Sequence, residues 1–179
     1  MARGASAPYF SGDFMAKLRR VFRQFMFYLI SRVFPKRLTQ FLMYLTQAKF
    51  VVAVVVVLYH GNQILLLRHS YRPRYPWGLV TGWVKAGESP KQAASREVFE
   101  ELGIEIAELH YFYSEVVGRH HLEIGFWAMV DAANDSHPSG DGEILESAWF
   151  SVHQLPEGLL PSQRPLILQA ENARIREFS

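Results

Sequence analysis

GWVKAGESPKQAASREVFEELGI, residues Gly82 to Ile104, is the stretch that decides the fold of this chain. Its second half predicts a short helix. Ser89 is a favourable N-cap, Pro90 suits the first helical position, and Gln92 completes a Ser-x-x-Gln capping box. Gly103 follows a run of strong helix formers and predicts a left-handed cap at which the helix ends.

Three glutamates crowd one side of this predicted helix. Glu97, Glu100 and Glu101 stand at positions i, i+3 and i+4, where neighbouring like charges repel by roughly a few tenths of a kcal/mol. Arg96, four residues before Glu100, is the cation best placed to offset them. The crowding favours a bound cation, and oxygen ligands favour a hard ion such as Mg²⁺ or Mn²⁺. The alternative interpretation is a solvated acidic face.

The spacing of the whole stretch resembles the Nudix box, GX5EX7REUXEEXGU, in which U is an aliphatic residue. Gly82, Glu88 and Gly103 stand at the glycine and glutamate positions of the box, and the REUXEE segment runs from Arg96 to Glu101. Every specified position matches. The resemblance implies an α/β protein with the Nudix fold, an α/β/α sandwich with a mixed sheet, over residues 49–179.

The resemblance also implies an activity. Nudix hydrolases use divalent cations to cleave a phosphoanhydride bond in a nucleoside diphosphate that is linked to another moiety, X. By position in the box, the metal ligands are Glu97, Glu100, Glu101 and the backbone carbonyl of Thr81. Arg96 pairs with a box glutamate and holds it in place, with Glu88 as a supporting partner.

Residues outside the box complete the predicted site. Relatives often place a further glutamate on the metals or use it as the base, and Glu143 is the best candidate, with Glu146 as second choice. The general base stays open among Glu100, Glu101 and Glu143. This chain also departs from the family, because it has Val-Thr-Gly at residues 80–82 where relatives usually have Pro-Gly-Gly.

Four residues before the box are candidates for substrate binding. Arg68, Arg72 and Arg74 could hold the distal phosphates, or they could be solvated loop charges. Trp77 could stack on a base, or it could form part of the core, and Trp83 and Tyr71 could also stack on a base. The sequence sets these alternatives side by side without choosing between them.

Markers of particular Nudix substrates are missing. The proline that ADP-ribose enzymes carry beyond the box is replaced here by the Arg119–His120 region, and the Ser-Gln-Pro-Trp-Pro-Phe-Pro array of NADH pyrophosphatases is absent. The sequence therefore indicates a class of reaction without a substrate. Two rival functions are a catalytically silent nucleotide-binding or regulatory module and a membrane-peripheral nucleotide-sugar diphosphatase. The first usually lacks box glutamates, which this chain keeps.

Charge separates an N-terminal arm from the rest of the chain. The net charge of +2 combines nine Lys/Arg against one acid in residues 1–49 with ten against sixteen in the remainder. The arm, residues 1–48, is thus basic and the domain acidic. The 179 residues suffice for one domain with an extension, and the absence of cysteine excludes disulfides and thiolate metal sites.

The arm itself predicts two helices. Apolar residues recur with helical spacing from Leu18 to Val33, Pro35 breaks the pattern, and a second apolar helix runs through Phe41 to Leu45. One interpretation is a helical hairpin that packs on the domain or on a second subunit in a homodimer. The other is an interfacial helix on an anionic membrane. The longest apolar run, Phe25–Ile30, is too short to span a bilayer.

These features together predict a cytoplasmic protein, with peripheral membrane contact under the second interpretation of the arm. Nucleic acid is the least favoured partner, because aromatic and aliphatic residues in the arm outnumber its charges.

The domain should be built from antiparallel strands interspersed with helices. Residues 50–59 predict a buried central strand that turns at Gly61-Asn62 into a partner strand. The other predicted elements are a short strand and loop over 77–84, two long antiparallel strands over 105–117 and 121–130 that turn at Gly118–His120, a polar loop over 132–142, a strand over 144–150, a helical turn over 152–155 and a helix over 165–174.

Overall fold

The computed structural model describes residues 12–33, 36–131 and 142–179. The chain divides into two compact units, with the boundary between Ala48 and Lys49. The first unit contains helices α1 (Gly12–Val33) and α2 (Lys36–Thr46), which confirms the predicted helical arm. The predicted break at Pro35 lies outside the described residues.

Helix α1 exposes apolar side chains along one face. Leu18, Phe22 and Phe25 are 53%, 66% and 58% exposed. Because these residues are spaced by three and four, they lie on one side of the helix. Among the described residues, no helix combines the length and the apolar character needed to cross a bilayer.

The second unit is built on one mixed sheet. In the described part of the chain the sheet has seven strands: β1 (Val51–His60), β2 (Gln63–His69), β3 (Trp77–Gly78), β4 (Val80–Trp83), β5 (His110–Val117), β6 (His121–Met129) and β7 (Ile144–Ser151). Its helices are α3 (Pro90–Leu102) and α4 (Arg164–Glu177), the latter preceded by the 3₁₀ turn Pro161–Gln163.

Strand β1 is the centre of this sheet. It runs parallel to β6 along one edge and antiparallel to β2 and β4 along the other. Seven consecutive residues of the strand are buried, which explains why its sequence is a nearly continuous β-branched run. The predicted central strand is therefore confirmed, as is its turn into β2, where Gly61 adopts a φ of 57°.

Helices cover both faces of the sheet. On one face, Val54, Val56 and Leu58 of β1 pack with Ala94 and Val98 of α3. On the other face, the alternate β1 residues pack against α4. That second layer includes Val55, Val57, Tyr59, Leu166, Ile167 and Ala170. The predicted α/β/α sandwich is confirmed, and the alternation of side chains along β1 explains how one strand serves both layers.

Two predicted boundaries were wrong. The strand expected from Glu105 begins only at His110, because Ile104 and Leu109 turn into the core as irregular chain. No helical turn forms at Val152–Leu155, where the chain makes a hydrogen-bonded turn instead. Pro156 follows directly and disfavours helical backbone at the residue before it. The polar loop predicted over 132–142 lies outside the described residues apart from Gly142.

The ends of α3 agree with the sequence. The Ser89 side chain accepts a hydrogen bond from the Gln92 backbone N–H, and the Gln92 side chain accepts one from the Ser89 N–H, which completes the capping box. Gly103 caps the other end with a φ of 69°. These local signals fix where α3 begins and ends, and therefore which turn of the helix carries the glutamates.

Replacing the N-cap tests this assignment. Ser89→Ala should lower the free energy of unfolding by about 1 kcal/mol, because the Gln92 N–H loses its acceptor. Urea denaturation followed by circular dichroism measures the change. Ser89→Asp serves as the matched control, since aspartate is an equally good N-cap. Equal losses in both variants would show that the cap does not stabilise the helix.

Candidate active site

Strand β4, which leads into the loop before α3, touches the helix at Gly82. A Cβ atom placed on Gly82 would lie within 1.9 Å of the Glu97 carboxyl carbon, so no larger residue fits without moving that side chain. The backbone of β4 therefore passes directly against a box glutamate. This close approach gives a physical reason for glycine at the first box position.

Arg96 organises the carboxylates around it. Its Nε and Nη2 donate to the two oxygens of Glu88 at 2.8 and 3.0 Å, and its Nη1 donates to Glu97 at 2.8 Å and to Glu100 at 2.9 Å. Nη2 also donates to the Trp83 carbonyl at 3.0 Å. One guanidinium thus ties the loop before α3 to three carboxylates.

The pairing changes the acidity of these groups. Hydrogen bonds from Arg96, and a further one from the Lys85 backbone N–H, lower the pKa of Glu88 to about 2. The same bonds raise the pKa of Arg96 above its ordinary value. Both groups are therefore charged at neutral pH, and the loop is held by charge-assisted hydrogen bonds.

Glu97 and Glu101 open into a pocket beside α3. The pocket has a volume of about 750 Å³. Thr81 and Gly82 of β4 border it on the side of the helix, and Glu143 and Arg72 border it from the neighbouring loops. Glu100 does not line the pocket, because its side chain, half exposed, is held by Arg96 and lies 3.7 Å from Lys85 Nζ.

Glu101 is the least satisfied carboxylate of the site. Its Oε2 is buried and has no hydrogen-bond partner. Burial, together with the neighbouring charges of Glu97 and Glu143, raises the pKa of Glu101 to about 8, against the opposing effect of Arg72. A buried acceptor among like charges is the environment that a cation relieves.

Glu97, Glu101 and the backbone of Thr81 could serve as ligands of a divalent cation on one wall of the pocket. Glu97 and Glu101 are separated by one helical turn and both face the pocket, and Thr81 contributes backbone from β4. Within the described residues, no three acidic or histidine side chains converge as a complete set of metal ligands. Burial and the like charges of Glu97 and Glu143 both disfavour a closer approach of these carboxylates without a cation.

Of the predicted substrate-binding residues, the structure brings Arg72 to the pocket. Arg68 instead places its Nη1 3.4 Å from Glu146 Oε2 on the paired strand β7. The Arg74 guanidinium lies over the Tyr75 ring. Trp77 packs edge-on against Phe150, with ring centroids 4.9 Å apart, outside the pocket lining.

The structure also distinguishes between Glu143 and Glu146, the two candidate glutamates after the box. Glu143 lines the pocket and is close enough to Glu101 to raise its pKa, whereas Glu146 pairs with Arg68 on the surface. Of the two, Glu143 is therefore the residue positioned to act with the box.

Sequence reasoning missed the carboxylates on the far wall of the pocket, although it named Trp83 at its edge as a residue that could stack on a base. Glu115 and Glu123 lie directly opposite each other on β5 and β6, and both line the pocket. Tyr113 donates its hydroxyl to Glu123 at 3.0 Å, while the Trp83 and His121 rings lie 5.2 Å apart at the edge of this wall. The predicted turn at Gly118–His120 could have revealed the Glu115–Glu123 pair, since pairing Val117 with His121 brings it into register.

Removing the central guanidinium tests the role of Arg96. Arg96→Gln should lower the melting temperature at neutral pH, because it leaves three carboxylates without their shared donor. Since the folded pKa of Glu88 lies below its ordinary value of 4.5, the stabilisation exists above that pH and is lost as the pH falls towards 2. The difference between wild type and variant should therefore shrink in acid.

Differential scanning fluorimetry across this pH range measures the difference. Arg74→Gln is the matched control, since Arg74 is exposed and lies outside the pocket. A constant difference between Arg96→Gln and wild type from pH 7 to pH 2 contradicts the role assigned to the Glu88 pair.

Comparison with known proteins agrees with this architecture. The family model for the NUDIX domain matches residues 49–170. Among solved structures, a MutT NUDIX hydrolase from Burkholderia pseudomallei aligns with a TM-score of 0.59 at 23% identity, covering 68% of this chain and 98% of that one. A NUDIX hydrolase from Nitrosomonas europaea aligns with a TM-score of 0.58 at 24% identity, covering 70% and 90%. These likenesses show the fold.

Curated relatives are similar in sequence over the same domain. The NAD-capped RNA hydrolase NudC of Pseudomonas aeruginosa is 37% identical over 118 residues, which are 64% of this chain and 40% of that protein. Its counterpart from Yersinia enterocolitica is 38% identical over 112 residues, covering 60% and 40%. The chain thus matches about two fifths of the length of these relatives. With the matched domain, the complete box and the sandwich fold, the chain belongs to the Nudix family.

Proposed function

We propose that the protein is a metal-dependent hydrolase that cleaves the phosphoanhydride bond of a nucleoside diphosphate linked to another moiety. The observation that carries this proposal is the pair of box glutamates, Glu97 and Glu101, that face one pocket wall, with the buried Oε2 of Glu101 lacking a partner. Arg72 supplies the pocket with positive charge on another wall.

The cofactor of this proposal is Mg²⁺ or Mn²⁺. Hard cations of this kind prefer carboxylate and carbonyl oxygens, which Glu97, Glu101 and Thr81 provide. When bound, the cation neutralises phosphate oxygens and lowers the pKa of a bound water. Glu100 is a ligand in the proposal only if its hydrogen bond to Arg96 is exchanged, because Arg96 and Lys85 hold it away from the pocket.

The residues around the pocket have separate roles in the proposed reaction. Arg96 holds Glu97 in place, and Gly82 keeps the backbone close to it. Glu101 and Glu143 are the candidate general bases, since both reach the pocket. Water attacks phosphorus, the bridging P–O bond breaks, and the products are two phosphate esters. The base takes the proton from the water.

Two observations guide the choice of substrate: the activity of the curated relatives and the side chains on the far wall of the pocket. Those relatives are NAD-capped RNA hydrolases, so a dinucleotide diphosphate of the NAD type is the first substrate to test. Glu115 and Glu123 present carboxylate oxygens that accept hydrogen bonds from amino or hydroxyl groups of a nucleoside. The Trp83 ring, at the edge of this wall, offers a surface on which a base can stack.

Activity assays test the proposal. Purified protein with Mg²⁺ or Mn²⁺ is incubated with NADH, NAD-capped RNA, ADP-ribose, nucleotide sugars, coenzyme A and nucleoside triphosphates, and ion-exchange chromatography resolves the products. Glu101→Gln should lower the rate at least ~10²-fold, because electrostatic stabilisation dominates phosphoryl transfer. Glu105→Gln, exposed and outside the pocket, is the matched control.

Two outcomes decide against the hydrolase. Equal turnover by Glu101→Gln and wild type would remove the box glutamate from the mechanism. Nucleotide binding without turnover of any compound would instead support the rival interpretation, a binding or regulatory Nudix module.

We also propose that the arm binds an anionic membrane surface. Helix α1 displays Leu18, Phe22 and Phe25 on one side, and its exposed basic residues include Arg19 and Arg23 on the other. Burial of a Phe side chain contributes about 1.5–3 kcal/mol, and each basic residue near an anionic surface adds about 1 kcal/mol. Charge complementarity favours this surface over a second, equally basic copy of the arm.

Vesicle co-sedimentation of the full chain tests the arm. Phe22→Glu should weaken binding to phosphatidylserine-containing vesicles about tenfold or more, since it removes an anchor and adds a repelled charge. Leu168→Glu, at an exposed position of α4, is the matched control. A homodimer that dissociates in Phe22→Glu, with no vesicle binding by the wild type, would assign the arm to a second subunit instead.

A further inference from the structure

The far wall of the pocket carries two carboxylates that face each other. Glu115 on β5 and Glu123 on β6 are directly opposite residues of an antiparallel pair, and both line the pocket. Side chains in such positions have Cβ atoms about 4.5–5.5 Å apart, and like charges placed there are destabilising. Tyr113 donates a hydrogen bond to Glu123 at 3.0 Å, but a neutral donor does not cancel the charge of either carboxylate.

In the part of the chain that the structure describes, neither Glu115 nor Glu123 forms an ion pair. Elsewhere in the domain, acidic side chains are paired with arginine, as in Arg68–Glu146 and Arg174–Glu171. The negative charge of the wall also acts on its surroundings. Burial, the hydrogen bond to Glu123 and the charges of Glu123 and Glu115 raise the pKa of Tyr113 above its ordinary value.

A tryptophan face borders the same wall. Trp83 is 55% exposed and lines the pocket, whereas Trp127 is completely buried. The Trp83 ring lies 5.2 Å from the ring of His121, which is two residues from Glu123 and therefore on the same face of β6. His121 Nε2 is itself buried and has no hydrogen-bond partner. An aromatic face next to negative charge that the protein leaves unpaired is a favourable environment for a cation.

A divalent metal ion fits this wall less well than an organic cation does. Ca²⁺ and Mg²⁺ take about six or more oxygen ligands, whereas the wall offers two carboxylates and aromatic rings. Among the residues that the structure describes, no third acidic or histidine side chain completes a metal site here. An organic cation needs no such ligand set, because a ring face attracts its charge and a carboxylate neutralises it.

We propose that the far wall selects substrates whose moiety X carries a fixed positive charge on nitrogen. The pyridinium of an oxidised nicotinamide dinucleotide and the quaternary ammonium of a nucleoside diphosphate choline share this chemistry. Glu115 and Glu123 are the specificity-determining residues, and Trp83 provides the face that contacts the cation. The inference rests on the proposed function and deepens it, because it names the chemical class of X. The phosphates of any substrate are repelled by an acidic wall, and a positive X offsets that repulsion.

Pairs of ligands that differ in charge test the wall without turnover. Isothermal titration calorimetry of the full chain in EDTA, which withholds divalent cations, gives the dissociation constants of oxidised and reduced nicotinamide dinucleotide. The oxidised form should bind at least ~5-fold more tightly, since only its ring is charged. Cytidine diphosphate choline should likewise bind more tightly than a neutral analogue in which carbon replaces the quaternary nitrogen. Discrimination within one pair alone identifies which cation the wall takes.

The double variant Glu115→Gln/Glu123→Gln removes the charge of the wall and keeps its size. Its preference for the charged ligands should fall to about twofold or less, and the circular dichroism spectrum should not change, since glutamine still offers Tyr113 an acceptor. Glu105→Gln, exposed and outside the pocket, is the matched control. Trp83→Leu should weaken the binding of the cationic ligands about 3- to 10-fold, because the ring face is lost.

The results distinguish this inference from the proposed function. Charge discrimination that depends on Glu115 and Glu123, in a protein that hydrolyses nothing, would support the selective wall and reject the hydrolase. Hydrolysis that is lost in Glu101→Gln, by a protein that binds both members of each pair equally, would do the reverse. Wild-type protein that binds neither cation, or a double variant that keeps the full preference, overturns the inference.

Discussion

The hydrogen bonds of Arg96 are the interaction on which the site depends. One side chain joins Glu88 from the loop, Glu97 and Glu100 from α3, and the carbonyl of Trp83 at the end of β4. Without this shared donor, three carboxylates would repel across a short distance, and the loop would have no fixed path. The fold uses arginine because five N–H donors in one plane can serve several acceptors at once.

The arrangement also divides the helix by function. Glu100 is turned to the surface side by Arg96 and Lys85, while Glu101, one residue further, is buried beside the pocket. A single helix thus presents one carboxylate that is neutralised within the protein and one that is left unsatisfied. Under the proposed function, that difference in surroundings, more than the count of glutamates, marks Glu101 as the carboxylate that a cation would relieve.

The sequence predicted what is encoded locally. The start and end of α3 followed from Ser89, Gln92 and Gly103, and the central strand followed from an unbroken β-branched run. Contacts between segments that are distant in the chain could not be predicted from the sequence. Nothing local shows that Gln163 hydrogen-bonds to Leu79, 84 residues away, and nothing distinguishes Arg72 from Arg68 until β2 and the loop after it are in place. The wrong boundary at Glu105 has the same origin, because Leu109 is turned inwards by packing and not by its own pattern.

The parallel pairing of β1 with β6 has a consequence for how the protein forms. Val51 pairs with His121, about 70 residues later in the chain, while the capped helix between them is specified by its own neighbours. Local elements form rapidly, whereas closure of a long loop is slow. During synthesis, α3 can therefore exist before its sheet does. The far wall is carried on β5 and β6, which follow α3 in the chain, so the residues of the acidic helix are synthesised before the pocket can be complete.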